Sequence, residues 1–174
     1  MKTLVIVSHP YPDNSTAIKS LENASMDVSD VTIRNLESLY GNDMDKIDIA
    51  AEQAACEGME RIVFMFPIHW FNITPMLKAY LNAVWTYGWA FGPEGKALTN
   101  KEMLVVTTAG ATAHTYSSEG LIQSTIEEVL TPMKASALYV GMKYLEPLYF
   151  YEAMGVSEEK LADYNSKLIE RLLA

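Results

Sequence analysis

The chain has 174 residues, with 13 basic and 22 acidic side chains and a formal net charge of −9. This length fits one domain, residues 1–174, whose core needs no disulfide or metal for stability. The acidic balance and the lack of basic runs argue against nucleic acid as a partner. With one cysteine, no signal sequence and no long apolar run, the sequence predicts a cytoplasmic protein without intrachain disulfides or membrane spans.

Strand-like runs alternate with helix-like runs along the whole chain. The strands are short apolar runs, and the helices show apolar residues at helical spacing or begin at a capping residue. In chain order, the predicted elements are strand 3–8, helix 15–24, strand 31–35, helix 47–58, strand 61–66, helix 75–85, strand 103–108, helix 121–133, strand 137–140 and helix 157–173.

This alternation predicts an α/β fold, a doubly wound parallel sheet of five strands with helices on both faces. Five strands favour the order 2-1-3-4-5 over a closed barrel, which needs eight. The run from Ile62 to Phe66 contains no polar residue, as expected for a central strand that is covered on both faces. In this order the loops after strands 1, 3 and 4 meet at one edge of the sheet, where such folds bind their ligands.

The loop after strand 1 offers hydroxyl groups at the start of a helix. Ser15 and Thr16 stand there, and the free N–H groups and dipole of a helix N-terminus favour an anion. This combination predicts a phosphate site that requires no lysine. In the alternative interpretation, Ser15 or Asn14 only caps the helix.

Aromatic residues are concentrated around the turn after strand 3. Nine of the chain's 18 aromatic residues lie between Phe64 and Phe91, including all three tryptophans. Those in helix 75–85 follow helical spacing and are expected to belong to the core. Trp70 and Phe71 fall instead in a proline-flanked turn, which suits a flat aromatic ligand.

The loop after strand 4 begins with small residues, Ala109 and Gly110, which let a ligand ring approach backbone N–H groups. Two long loops, 86–100 and 109–119, have a length that is usually functional or disordered. The chain's three histidines fall in three different loops of this edge, but no cysteine or carboxylate stands at ligand spacing. We therefore expect no metal site.

A set of motifs in the sequence resembles one known enzyme family. They are HPYP at 9–12 with Ser15, FPIHWF at 66–71, PMLK at 75–78, YGWAFG at 87–92, TT at 107–108 and YSSEG at 116–120. In this order the chain is similar, over nearly its whole length, to the NAD(P)H:quinone oxidoreductases of flavodoxin-like fold. The short bacterial members are nearest in length, and they include the ancillary flavoproteins of glutathione-gated potassium efflux systems. Residues 141–147 also resemble the region of the family's fifth strand.

The resemblance implies a flavin cofactor, FMN or alternatively FAD, and NAD(P)H as the co-substrate. The implied contacts of the flavin phosphate and ribityl chain are His9, Ser15, Thr16 and Ala17. The implied contacts of the ring are Pro67, Ile68, His69, Trp70 and Phe71 on one side and Thr107, Thr108, Gly110 and Tyr116 on the other.

The family's reaction is a ping-pong transfer of two electrons, from NAD(P)H to the flavin and then to a quinone, with azo or nitro compounds as further acceptors. Tyr116 and His69 are the implied catalytic residues, since Ile122 stands where the animal enzymes have a charge-relaying histidine. The family's pocket is completed by a second subunit, so we expect a homodimer with loop 86–100 at the interface. The bacterial members suggest an alternative function, the regulation of a membrane potassium transporter.

Overall fold

A parallel sheet crosses the centre of the computed structural model, which describes residues 1–174. Its strands are β1 (Thr3–Val7), β2 (Val31–Asn35), β3 (Arg61–Pro67), β4 (Glu102–Thr108), β5 (Lys143–Tyr144) and β6 (Leu148–Phe150). The strand order is β2-β1-β3-β4-β5, and β6 also pairs with β4. All of these pairings are parallel. The order 2-1-3-4-5 predicted from the sequence is therefore confirmed.

The fifth strand position is filled in two short parts. Glu102 of β4 pairs with Lys143, and Val106 of the same strand pairs with Leu148. The strand predicted at 137–140 is wrong, because these residues end a helix that runs from Thr131 to Tyr139. The buried residues Met133 and Ala137 of this helix and Val140 at its C-cap are spaced four and three apart, as on one face of a helix.

Seven α-helices connect and cover the strands. They are α1 (Ala17–Met26), α2 (Leu36–Tyr40), α3 (Ile49–Cys56), α4 (Pro75–Val84), α5 (Ile126–Val129), α6 (Thr131–Tyr139) and α7 (Glu158–Leu173). The helix predicted at 121–133 begins later, because Thr125 and Glu128 form a capping box that starts α5. No helix is both long enough and apolar enough to cross a membrane.

Alternate residues of the central strands point into two separate cores, one on each face of the sheet. Phe64 and Val105 pack with α4 and α6 on one face, where Tyr80 is fully buried. Val63 and Leu104 face the other way and pack with α1 and α7. The prediction of helices on both faces is thus confirmed, and both layers fix the loops at the carboxyl edge of the sheet.

Candidate functional site

A cavity of about 360 Å³ opens at the carboxyl edge of the sheet. Its volume falls within the roughly 300–1,000 Å³ that is usual for small-molecule sites. It lies among the loops that follow β1, β3, β4 and β6, and it is lined by His9, Asn14, Ser15, Thr16, Ala17, Ile18, Pro67, Ile68, Thr108, Gly110, Ala153, Met154 and Gly155. None of these side chains is a carboxylate, a lysine or an arginine, so the cavity offers neutral polar groups and apolar surface.

Most of the residues expected at a flavin site meet in this cavity. They are His9, Ser15, Thr16, Ala17, Pro67, Ile68, Thr108 and Gly110. His69, Trp70, Phe71, Thr107 and Tyr116 do not line it. The expected phosphate end and one wall of the expected ring site are therefore adjacent, whereas the aromatic residues stand beside the cavity.

Sequence reasoning missed the wall that follows β6, where Ala153, Met154 and Gly155 line the cavity. These residues follow the fifth strand position, so placing that strand at 137–140 hid them. A methyl group added at Gly110 would lie 3.0 Å from Met154 Sδ. Met154 is 84% exposed and its side chain is flexible, so this contact could be relieved by a change of rotamer.

The N-terminus of α1 faces the cavity without a side-chain cap. Its N-cap residue, Thr16, makes no capping hydrogen bond, and the first turn holds no acidic residue. The N–H groups of Ala17 and Ile18 have no partner within the chain. Ser15 Oγ accepts a hydrogen bond from Lys19 N at 3.3 Å, so the capping interpretation holds for that residue in part. This helix end keeps free donors of the kind that bind anions.

The imidazole of His9 is a further neutral donor at this end of the cavity. Its Nδ1 accepts a hydrogen bond from Tyr11 N at 3.0 Å, so the neutral ring carries its proton on Nε2. Burial, followed by the charge of nearby His69, lowers the pKa of His9 below its usual value. No three His, Cys, Asp or Glu side chains of the chain are grouped so that they could hold a metal ion.

The turn after β3 is held rigidly at its base. Ile68 N donates to Thr108 O at 2.8 Å, and His69 N donates to Asn72 O at 2.9 Å. Between these anchors, Trp70 and Phe71 adopt φ values of 48° and 57°. Left-handed backbone costs about 1–2 kcal/mol for each non-glycine residue and recurs at functional sites. In this turn Trp70 faces solvent, with 85% of its surface exposed.

Two of the expected site residues are engaged inside the protein. The Thr107 hydroxyl is fully buried and donates to Phe66 O at 2.6 Å, which ties β4 to β3. Tyr116 is 7% exposed, and its ring centre lies 6.2 Å from that of Phe71 and 5.8 Å from that of Tyr151. Burial raises the pKa of Tyr116, so its phenol stays protonated and can donate a hydrogen bond.

The comparisons with known proteins agree with this geometry. A family model described as flavodoxin-like fold matches residues 1–172. The uncharacterized NAD(P)H oxidoreductase YrkL of Bacillus subtilis is 35% identical over 100% of this chain and 99% of its own length. The glutathione-regulated potassium-efflux system ancillary protein KefF of Salmonella dublin is 35% identical over 98% of this chain and 95% of its own length.

A solved structure extends the similarity to three dimensions. General stress protein 14 of Treponema denticola, in complex with FMN, superposes with a TM-score of 0.88 at 35% identity. The match covers 99% of this chain and 97% of that one. The chain therefore belongs to the flavodoxin-like family that includes this FMN-bound protein, the NAD(P)H oxidoreductase YrkL and KefF.

Proposed function

We propose that the chain is an FMN-dependent NAD(P)H:quinone oxidoreductase that transfers two electrons by a ping-pong mechanism. The observation that carries the proposal is the cavity at the carboxyl edge, with uncapped N–H groups at one end and an apolar wall at the other. NAD(P)H as the reductant agrees with the expected cytoplasmic location. When bound, the flavin accepts a hydride from the nicotinamide and passes the electrons on.

The phosphate end fits the residues present. Thr16 offers its hydroxyl, α1 offers the N–H groups of Ala17 and Ile18, and His9 offers Nε2–H. These neutral donors and the positive end of the α1 dipole stabilise a phosphate without a basic side chain. FMN is favoured over FAD because an FMN-bound relative is 35% identical over almost the whole chain.

The ring end fits a flat heterocycle. Pro67, Ile68 and Gly110 line the cavity there, and Gly110 leaves the backbone open to close approach. Trp70 and Phe71 stand beside the cavity with 85% and 46% of their surfaces exposed. We assign them to stacking on the flat electron acceptor, a quinone or an azo or nitro compound.

Tyr116 and His69 are the proposed catalytic residues. The Tyr116 ring lies behind Phe71, and its phenol can donate to an acceptor oxygen on which negative charge develops. The ring centre of His69 is 6.3 Å from that of Tyr11, at the rim of the same edge. Thr107 acts through its position, since its hydroxyl ties β4 to β3 at the carboxyl edge of the sheet.

The exposed aromatic residues also support a symmetric homodimer. A second subunit would cover Trp70 and complete the open side of the cavity. Trp89 and Phe91, in loop 86–100, pack partly buried against the chain's own core, so the expectation that this loop joins the interface rests on the family resemblance. Sedimentation should give a dimer at micromolar concentration, and a fully active monomer would contradict this assembly.

A second candidate function is the regulation of a potassium transporter. It is favoured by the 35% identity with KefF, an ancillary protein of a potassium-efflux system, over 98% of this chain. Co-purification with a membrane efflux channel, and transport that depends on this chain, would support it. Rapid turnover of NAD(P)H and a soluble quinone by the isolated chain would favour the enzyme.

The absorption spectrum of the purified protein is the most direct test. We expect flavin bands, and mass spectrometry of the released cofactor should identify FMN. Steady-state assays with NADH or NADPH and a soluble quinone then test the reaction. Absence of flavin binding, or flavin that no nicotinamide reduces, would contradict the proposal.

The double variant Ser15→Ala and Thr16→Ala tests the phosphate end. Loss of two hydroxyl groups should weaken FMN by about 1–3 kcal/mol, because charge-assisted hydrogen bonds are lost. FMN titration measures the change. An unchanged affinity would show that neither side chain binds the phosphate.

A further inference from the structure

A buried hydrogen-bond chain runs beneath the proposed flavin site. Leu77 N donates to Thr74 Oγ1 at 3.3 Å, and Thr74 Oγ1 lies 2.5 Å from Ser8 Oγ. Ser8 Oγ in turn donates to Glu37 Oε1 at 2.8 Å. Ser8 and Thr74 are fully buried, and Glu37 is 7% exposed.

The direction of these bonds follows from the number of protons. The single Ser8 hydroxyl proton is used on Glu37, so the Thr74 hydroxyl must donate to Ser8. Every donor then points toward the Glu37 carboxyl group, and successive bonds of this kind polarise one another. Removal of the final acceptor would leave the buried Ser8 hydroxyl without a partner.

The hydrogen-bond chain from Leu77 to Glu37 links the two loops that form opposite ends of the proposed site. Ser8 directly precedes His9, which lines the cavity at its phosphate end. Thr74 closes the turn that carries Trp70 and Phe71 and caps the N-terminus of α4. Glu37 lies on α2, outside both loops, and the Ser8 hydroxyl couples it to both.

The charge environment of Glu37 is unusual for a buried carboxyl group. Burial, followed by the charge of Glu22, raises its pKa, although the hydrogen bond from Ser8 opposes the rise. The other carboxyl oxygen, Oε2, is buried without a hydrogen-bond partner. A side cavity of about 370 Å³ joins Glu37 to the phosphate end, since His9 and Ser15 line both cavities. The charged or titratable groups that face it are His9 and Asp13 from the loop after β1, and Lys19 and Glu22 from α1. From α4 it is reached only by the Thr74 hydroxyl, through Ser8.

We propose that Glu37 is a positioning residue of the flavin site, which holds the phosphate loop and the aromatic turn at the spacing that the cofactor requires and acts best in its neutral form. The inference rests on the proposed function. A neutral carboxyl group that carries its proton on the unpartnered Oε2 still accepts from Ser8 through Oε1, so the hydrogen-bond chain persists without a charge. An ionised Glu37 would repel a phosphate held at the start of α1, because His9 and Ser15 line both the side cavity of Glu37 and the proposed cofactor cavity.

The test compares three variants by FMN titration between pH 5 and pH 8, read by the quenching of flavin fluorescence. Glu37→Gln keeps an acceptor for Ser8 and carries no charge, whereas Glu37→Ala removes the acceptor. Ser38→Ala is the matched control, because Ser38 is the exposed next residue of α2 and lines the same side cavity. The FMN phosphate and His9 change protonation in every variant, so the difference in pH dependence between the variants measures the contribution of Glu37 alone.

We expect the ratio of the wild-type Kd for FMN to the Kd of Glu37→Gln to rise about threefold to tenfold from pH 5 to pH 8. This is the size expected for repulsion between one carboxylate and the phosphate that is screened by solvent. Glu37→Ala should bind FMN about tenfold or more weakly at every pH. Ser38→Ala should match the wild type.

Equal pH profiles of the wild type and Glu37→Gln would overturn the inference, as would wild-type affinity in a folded Glu37→Ala variant. If melting shows that Glu37→Ala is unfolded, the comparison with Glu37→Gln decides alone. A wild-type chain that binds no FMN at any pH would overturn the proposed function as well, and this outcome is visible before any variant is made.

Discussion

The two edges of the sheet satisfy their buried polar groups in different ways. At the amino edge, Arg61 at the start of β3 is 4% exposed and donates to Glu102 at the start of β4 at 2.8 Å. At the carboxyl edge, Ser8, Thr74 and Glu37 are joined only by hydroxyl groups, with no basic partner. At the amino edge the buried guanidinium has its partners within the chain, although the buried Thr3 hydroxyl has none, whereas the carboxyl edge retains free N–H groups at α1 that a ligand can use. Free backbone donors at a helix end that lines a cavity are the kind of departure from local stability that is expected at a functional region.

The largest expected effect comes from breaking the ion pair of the amino edge. Arg61→Ala leaves Glu102 without its partner and also removes a donor to Arg171 O. We expect a loss of about 3 kcal/mol in the free energy of unfolding, measured with urea, because the packing of the buried Arg61 side chain is lost and the partly buried Glu102 carboxylate and the Arg171 carbonyl both lose their donor. FMN affinity of the folded variant should stay within about twofold.

Lys143→Ala is the matched control for this edge, since Lys143 is exposed and pairs in register with Glu102 without an ion pair. It should change stability by less than about 0.5 kcal/mol. A similar loss in both variants would show that the ion pair is not the cause.

A negative charge at the start of α1 reverses the comparison at the carboxyl edge. Thr16 has helical backbone angles, φ −87° and ψ −53°, unlike the extended Asp48 that caps α3, so Thr16→Asp acts through the helix dipole and not as a cap. The charge should stabilise the apo protein by about 0.3–1 kcal/mol and should weaken FMN about 100-fold by repelling its phosphate. Melting curves and FMN titration measure the two opposite changes.

Thr125→Asp, at the N-cap of α5 outside the cavity, is the control, and its FMN affinity should not change. If Thr16→Asp binds FMN as tightly as the wild type, the phosphate lies elsewhere.

Tyr116 tests whether a buried phenol at this edge has a chemical role. Tyr116→Phe keeps the ring that packs between Phe71 and Tyr151 and removes only the hydroxyl. We expect quinone reduction to slow by about 10–100-fold, with unchanged melting temperature and flavin content. Stopped-flow measurement of the two half-reactions separates this effect from any change in reduction by NAD(P)H.

Tyr139→Phe is the control, because Tyr139 is 74% exposed and lies on α6. Equal oxidative rates in Tyr116→Phe and the wild type would leave Tyr116 as a packing residue and water as the proton source.

Much of the fold could be predicted because its signals are local. The apolar runs from Leu4 to Val7 and from Ile62 to Phe66 are fully buried in the structure, and together with the length of the connections they predict the strand order. The prediction of the fifth strand was wrong because the short apolar run at 137–140 is compatible both with a strand and with the buried end of a helix.

The candidate site could be predicted only where one segment supplies the signal. Ser15, Thr16 and the turn at 66–75 are recognisable by themselves, and most of the expected residues meet in one cavity. In the hydrogen-bond chain, Ser8 is 29 residues from Glu37 and 66 residues from Thr74 in the sequence. No local sequence pattern can therefore reveal these contacts. Sequence reasoning finds the exposed donors of such a site more readily than the buried groups that support them.

The smallest expected effect is a difference in pH dependence between two glutamates. The raised pKa of Glu37 means that the folded apo protein holds its proton more tightly than the unfolded chain does. Its contribution to stability is therefore fully present below the unfolded pKa and is lost as pH rises through the folded value. Glu127 is the opposite case, because the Tyr149 hydroxyl donates to it at 2.5 Å and lowers its pKa. Its contribution is present above the unfolded pKa and is lost as pH falls.

Glu37→Gln and Glu127→Gln should therefore change the slope of unfolding free energy against pH in opposite directions between about pH 3 and pH 7. The change at Glu127 should be the smaller one, since this side chain is exposed and screened by solvent. Urea unfolding of the apo protein at several pH values measures both slopes, with Ser38→Ala as the unchanged reference. If Glu37→Gln steepened the fall of stability with rising pH, the fold would have to stabilise the charged form of Glu37, and the carboxyl edge would carry a negative charge beside the proposed phosphate site.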